Sequence, residues 1–128
     1  MGKPANNMKV CAYFKRKPNS LGDDIETDFE PPILFKGKRT TITKRVATIG
    51  GMFATATSTF FITYDLPLSS SEIKKDDFIV MDCHGLPLYV NQHIWRVNSA
   101  TIDTEKLAVN PSSEEEAERK AEKRIEVD

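Results

Sequence analysis

Short apolar runs separated by turn residues recur along the chain, and their lengths are typical of β-strands. Three of them, at 78–81, 86–90 and 94–97, are rich in β-branched and aromatic residues and too short for helices. We predict strand, turn, strand, turn, strand: an antiparallel meander on which the other strands pack. The predicted core anchors of this meander are Phe78, Val80, Trp95 and Val97.

Alternation of apolar and polar residues predicts further strands nearer the start of the chain. Residues 8–17 alternate at period two and end in a basic cluster. Residues 33–35 begin a second strand, and 40–46 alternate after a predicted turn at 36–38. The alternation at 8–17 is the pattern of a strand with one buried face.

A long Thr-rich segment at 52–65 follows two glycines and is also typical of a strand. Because it exceeds the usual strand length, we expect a bulge or a break near 56–58. Residues 106–109 are the predicted last strand. The pattern as a whole predicts a mainly β fold: a small antiparallel β-barrel or sandwich with long loops and a C-terminal α-helix.

The composition changes after residue 110. Two capping-box matches precede a run of paired acidic and basic residues, which predicts a helix. Its narrow apolar stripe consists of Ala117, Ala121 and Ile125. The predicted organisation is therefore a flexible leader at 1–7, a β-domain at 8–110 and a charged helical tail at 111–128. We expect a neighbouring copy or a partner chain to hold the tail, and the β-domain to fold without it.

Two charged segments are candidate contact surfaces. The loop at 18–32 is long for a compact domain. It lacks the EF-hand pattern, so we predict a solvated acidic loop that contacts a basic partner rather than a calcium site. Its carboxylates are Asp23, Asp24, Glu26, Asp28 and Glu30. The next segment is a basic contact hairpin that faces solvent, phosphates or an acidic surface. Its cations are Lys36, Lys38, Arg39, Lys44 and Arg45.

Charge and hydropathy limit the classes of partner. The formal net charge of −1 over 128 residues provides no global field for nucleic acid or an anionic membrane. No apolar run approaches the ~18 residues that a membrane span needs. The start of the chain has no signal-peptide pattern, so we expect synthesis in the cytoplasm. Cys11 and Cys83 are expected to be reduced thiols, with a single disulfide as the alternative.

Catalytic motifs are not found in the sequence. It has no phosphate-binding glycine loop, no G-x-S-x-G elbow and no combination of nucleophile, base and oxyanion donors. Cys83, His84 and His93 lack the spacing of zinc ligands. We predict a non-enzymatic protein without a metal or cofactor.

Two kinds of binding protein remain. One is a nucleic-acid-binding barrel of the OB type, in which the basic hairpin follows the phosphates and aromatic rings stack on bases. The candidate rings are those of Tyr13, Phe14, Phe35 and Phe60. The near-neutral charge argues against this alternative. The other is a structural module that assembles through loops, edge strands and its tail.

Three segments resemble the head-closure (stopper) and head–tail joining proteins of tailed bacteriophages. They are FFITYDLPL at 60–68, KKDDFIV at 74–80 and IWRV at 94–97. In that family a Thr-and-apolar strand is followed by d-l-p-l, a polar linker, k-x-D-x-I and a strand ending in W-x-V. The resemblance covers roughly a third of the chain and does not include the charged tail.

This resemblance implies a small antiparallel β-barrel that acts as a structural virion protein. Its copies would form a hexameric or dodecameric ring in the neck, between the portal or adaptor and the tail proteins. The ring would close the head and retain or gate the packaged double-stranded DNA in its channel. The acidic loop or the basic hairpin would line that channel or meet the adjacent ring. Synthesis in the host cytoplasm and no membrane partner are implied.

Overall fold

The computed structural model describes residues 8–81, 93–103 and 114–128. Within these residues six antiparallel strands form one sheet that closes on itself in the order β1-β2-β3-β6-β5-β4. The elements are β1 (Lys9–Phe14), β2 (Ile33–Ala47), β3 (Phe53–Thr63), β4 (Phe78–Met81), β5 (Ile94–Asp103), α1 (Glu114–Lys120) and β6 (Glu122–Val127). The predicted mainly β class is confirmed, with little helix.

Side chains from all six strands meet in one interior cluster. Its buried members are Cys11, Tyr13, Phe35, Phe61, Leu66, Leu68, Ile73, Ile79, Val97, Ile125 and Val127. A second cluster, which we call the outer cluster, consists of Ala12, Phe14, Phe29, Phe78 and Val80. Successive residues of a strand point to opposite faces, so β1 and β4 are buried on both faces.

The predicted core anchors are divided between these two clusters. Val97 is buried in the interior cluster, and Trp95 is half-buried against it. Phe78 and Val80 belong to the outer cluster instead. The fold therefore has an interior core and a smaller one on the outside of the sheet.

The predicted meander is wrong in its strand order. β4 pairs directly with β5, with Ile79 opposite Trp95, which leaves no place for a strand between them. The run at 86–90 itself lies outside the described residues. Alternation within a run identifies a strand but contains no information about its neighbours in the sheet. The predicted strand at 106–109 and the leader at 1–7 also lie outside the described residues.

Two predictions about the β2–β3 hairpin are corrected. β2 continues through the predicted turn at 36–38. At Gly37 an added Cβ would come within 2.9 Å of the Phe35 ring, so this glycine allows close packing inside a strand. β3 is continuous through 56–58 and pairs with β2 without a register shift. The chain reverses instead at Gly50 and Gly51, both with left-handed φ angles.

The predicted C-terminal helix is correct only in part. α1 ends at Lys120, and the residues after it form β6, which pairs with β3 on one side and β5 on the other. Ile125 and Val127 alternate into the interior. The expectation that the β-domain folds without its tail loses its basis, because the tail contains a strand of the closed sheet.

Contacts within the chain hold the tail in place. Ala117 and Ala121 are buried. Arg119 Nε forms an ion pair with Glu72 at 3.1 Å, and the backbone N–H of Ser70 donates to Glu118 at 2.6 Å. A neighbouring copy is therefore not needed to explain the ordered tail.

Lys123 is an inward-facing charged residue of β6. Its side chain is buried, and Nζ donates to the carbonyl oxygens of Arg119 at 3.0 Å and Ala121 at 3.3 Å. These bonds satisfy carbonyls at the C-terminal end of α1. Burial lowers the pKa of Lys123 to about 8. The ammonium group thus links the end of α1 to the interior of the sheet.

Substituting Ile125→Ala tests the place of β6 in the core. Ile125 is fully buried, so we expect the loss of about 2–5 kcal/mol of unfolding free energy. Urea denaturation followed by circular dichroism measures it. The matched control is Arg124→Ala, on the exposed face of β6, which loses only a cation–π contact with Phe60 worth about 0.5–1 kcal/mol. Equal stability of the two variants would show that β6 is not a core strand.

Candidate functional site

The β2–β3 hairpin extends beyond the closed sheet. β1 pairs with β2 only over residues 33–37, and β6 pairs with β3 only over 59–63. Beyond these points, residues 42–47 pair with 53–58. Within the described part of the chain, no third strand pairs with the segment 42–58. We call this segment the arm. At about 3.4 Å per residue its strands extend roughly 20 Å from the sheet.

Contacts across the hairpin hold the arm in a single shape. The hydroxyls of Thr43 and Thr57 lie 3.2 Å apart, and the Arg45 guanidinium lies 4.9 Å from the centre of the Phe53 ring. The turn is closed by the backbone N–H and the hydroxyl of Thr48, which both donate to the Met52 carbonyl. The arm is therefore an ordered ribbon rather than a loose loop.

The end of the arm exposes apolar side chains. The exposed fractions are 41% for Val46, 105% for Ile49, 72% for Met52 and 65% for Phe53. We call these four residues the apolar tip. Val46 and Phe53 lie on opposite faces of the ribbon, so the apolar side chains surround its end. Exposed apolar residues grouped at the end of an ordered element are typical of a contact site. Sequence reasoning missed this site, although the signal was visible as apolar residues on both sides of two glycines.

The predicted basic residues do not form a single patch. Lys36, Lys38 and Lys44 lie on one face of β2, while Arg39 and Arg45 lie on the other, as strand alternation requires. The Arg39 guanidinium stacks over Trp95 at 5.3 Å, where the arm leaves the sheet. Since the sequence has no acidic residue between Glu30 and Asp65, the arm is basic on both faces.

The acidic loop at 18–32 is folded against the outer cluster. Phe29 is buried and stacks on Phe78 with ring centroids 4.4 Å apart. Arg16 covers both rings, at 4.6 Å from Phe29 and 5.7 Å from Phe78. Backbone hydrogen bonds join Lys17 N–H to the Asp28 carbonyl and Glu30 N–H to the Lys15 carbonyl. The loop is thus part of the fold.

Three of the five predicted contact carboxylates form ion pairs or hydrogen bonds within the chain that hold this loop in place. Asp23 lies between Arg16 at 2.8 Å and Arg96 at 3.3 Å, and these guanidinium groups lower its pKa. The Ser20 hydroxyl donates to Asp28 at 2.6 Å and, with the N–H of Asp24, lowers the pKa of Asp28. The third, Asp24, accepts a hydrogen bond from the N–H of Glu26.

The remaining two carboxylates border a groove. Glu26 and Glu30 lie beside a depression of about 310 Å³ whose other lining residues are Phe14, Lys17, Ile25, Phe29, Pro31 and Pro32. We call it the loop groove. Its volume is at the low end of the range for pockets that bind small molecules, about 300–1,000 Å³. An apolar floor with carboxylates at its rim suits a ligand whose apolar side chains enter the groove and whose positive charges lie next to them.

A buried hydrogen bond joins β1 to the residue that precedes β4. The Tyr13 hydroxyl donates to Asp77 at 2.6 Å, and both residues are buried. Burial raises the pKa of Tyr13, and the other Asp77 oxygen accepts from the N–H of Arg16. The N–H of Lys74 also donates to Asp77, so this carboxylate joins β1 to the residues before β4.

No protein-family model, curated protein or solved structure matches this chain. Residues 8–81, 93–103 and 114–128 contain no group of three His, Cys, Asp or Glu side chains placed to hold a metal ion. Of the three residues weighed for zinc, Cys83 and His84 lie outside the described residues, and His93 packs on Trp95 at 4.2 Å. Among the described helices, none has the length and apolar character needed to cross a bilayer.

Substituting Phe29→Ala tests whether the acidic loop is part of the fold. We expect the unfolding free energy to fall by about 3–5 kcal/mol, because a buried ring is lost between Arg16 and Phe78. Urea denaturation measures the change. Leu21→Ala is the control, since Leu21 lies in the same loop and is 96% exposed. If both variants keep the wild-type midpoint, the loop is not packed on the sheet.

Proposed function

We propose that this protein is a structural subunit that assembles with copies of itself through its arm. The observation that carries this proposal is the apolar tip at the end of an ordered two-stranded ribbon. Monomeric proteins seldom hold such a group of large apolar side chains in water without a partner. Burying them on another chain is favourable by about 25 cal/mol per Å².

The order of the arm supports a binding role. Its strands pair without a register shift over their whole length, and its turn is closed by hydrogen bonds. A ribbon that already has its bound shape loses little conformational entropy when it docks. A projecting ribbon can also reach across to an adjacent molecule, which a flat surface cannot do.

We further propose that the assembly is a head–tail connector of a tailed bacteriophage. This step depends on the sequence resemblance, and the closed antiparallel sheet is the kind of fold that the resemblance implies. The ring would lie in the neck between the portal or adaptor and the tail, and would close the head around packaged DNA. The arm is the better candidate for an element that projects toward neighbours or the channel, because the acidic loop is packed on its own sheet.

Nucleic-acid binding is the alternative, and one observation favours it. The arm is a two-stranded ribbon with basic residues on both faces, and such ribbons fit the major groove of DNA. Against it, three of the four candidate stacking rings, those of Tyr13, Phe14 and Phe35, are buried. Steeply salt-dependent binding of duplex DNA by the monomer would favour this alternative.

Replacing the apolar tip tests the assembly. In the combined variant Ile49→Ser, Met52→Ser, Phe53→Ser we expect a monomer, whereas the wild-type chain forms larger particles. Light scattering after size-exclusion chromatography measures the mass. The thermal midpoint should fall only slightly, because these side chains are exposed and the lost contact between Arg45 and the Phe53 ring is worth about 0.5–1 kcal/mol.

The matched control is Leu21→Ser, which removes an exposed apolar side chain that belongs to neither the arm nor the lining of the loop groove. It should assemble like the wild-type chain. A wild-type chain that remains monomeric at high concentration would overturn the proposal, as would a tip variant that assembles normally.

A further inference from the structure

We propose that the apolar tip of one copy docks in the loop groove of the next copy, so that the copies join head to tail. This inference rests on the proposed assembly and names the surface that the arm meets. The tip consists of Val46, Ile49, Met52 and Phe53, and the groove lies between the acidic loop and β1.

The two surfaces lie at opposite ends of one strand. Pro31 and Pro32 line the loop groove directly before β2 begins at Ile33, and the tip begins at Val46 near the other end of that strand. At about 3.3 Å per residue the separation is roughly 45 Å. Because β2 is continuous, the tip cannot fold back into the groove of its own chain. The occupant must come from another molecule.

The chemistry of the two surfaces is complementary. The floor of the groove is formed by Ile25, Phe29 and the two prolines. Its charged lining residues are Glu26, Glu30 and Lys17, which leave one net negative charge. The tip offers large apolar side chains, with Lys44 and Arg45 directly behind it. Apolar burial supplies the affinity, and the pairing of opposite charges at the rim sets the orientation.

Charge also disfavours the simplest alternative, in which two tips pack on each other. A tip-to-tip contact brings Lys44 and Arg45 of one arm close to the same residues of another arm. Like charges facing each other across an interface are destabilising. The acidic rim of the loop groove presents the opposite sign, so the groove is the better partner for the tip.

Head-to-tail contact determines the type of assembly. When two different patches of the same chain meet, the interface is heterologous, and repeated copies generate a closed ring if the rotation closes. A self-complementary contact would stop at a dimer. The positions of tip and groove at the two ends of β2 thus provide a physical route to the ring expected for a connector.

Charge reversal gives a sharp test. The arm variant is Lys44→Glu, Arg45→Glu, and the groove variant is Glu26→Lys, Glu30→Lys. Each variant alone places like charges at its own contact, so we expect half-assembly to require roughly tenfold or more higher protein concentration. The hydrogen bonds described for Glu26 and Glu30 are made by their backbone N–H groups, so replacing their side chains leaves these bonds in place.

Mixing the two variants in equal amounts should restore assembly. The reversed arm then meets a reversed groove, and the unchanged arm of the groove variant meets the unchanged groove of the arm variant. The result is an alternating ring, measured by light scattering and native mass spectrometry. As a control, Lys74→Glu, Lys75→Glu makes the same change in net charge as the arm variant, at exposed positions that belong to neither the tip nor the groove lining, and should assemble normally.

The outcomes separate this inference from the proposed function. A wild-type chain that does not assemble would overturn both. If the wild-type chain assembles and the arm variant does not, but the groove variant assembles normally, the arm is an assembly element that docks elsewhere, and only this inference fails. Failure of the mixed variants to assemble would also overturn it.

Discussion

Closure of the sheet by β6 is the constraint on which the rest of the structure depends. Without β6, β3 and β5 would each present an unpaired edge. With it, Ile125 and Val127 complete an interior formed by all six strands. The same strand determines the arm. β6 ends its pairing with β3 at Thr59, and the longer hairpin leaves the sheet beyond that point. The projecting arm is therefore a consequence of unequal strand lengths.

The two-sided burial of β1 and β4 explains the rest of the surface. Strands that are apolar on both faces need a cover outside the sheet. The acidic loop provides it through Phe29, and Arg16 lies over the ring. In covering the outer cluster, the loop brings its two prolines to the start of β2 and forms the loop groove beside β1. Arm and groove are in this way built on the same strand, one at each end.

Period-two alternation and short apolar runs bounded by turn residues were sufficient to predict the fold class, because most of the strands show one of these two patterns in sequence. It could not predict β6. Glu122–Val127 continues a charged pattern that begins with capping boxes, and an inward lysine is untypical of a strand. Lys123 is tolerated there because Nζ reaches two backbone carbonyls. The role of Asp23 was also hidden, since Arg96, which binds it, is distant in sequence. The tip is exposed because β1 and β6 end before they reach it, and these strand ends are not visible in the sequence of the hairpin itself.

The central claim is that the arm of each copy contacts another copy, and electron cryomicroscopy of the purified full-length chain tests it most directly. We predict closed rings in which each arm leaves its own sheet and its tip is covered by the adjacent subunit. Single copies with the arm surrounded by solvent, or rings whose subunits meet through the sheets while the arms remain uncovered, would contradict the account.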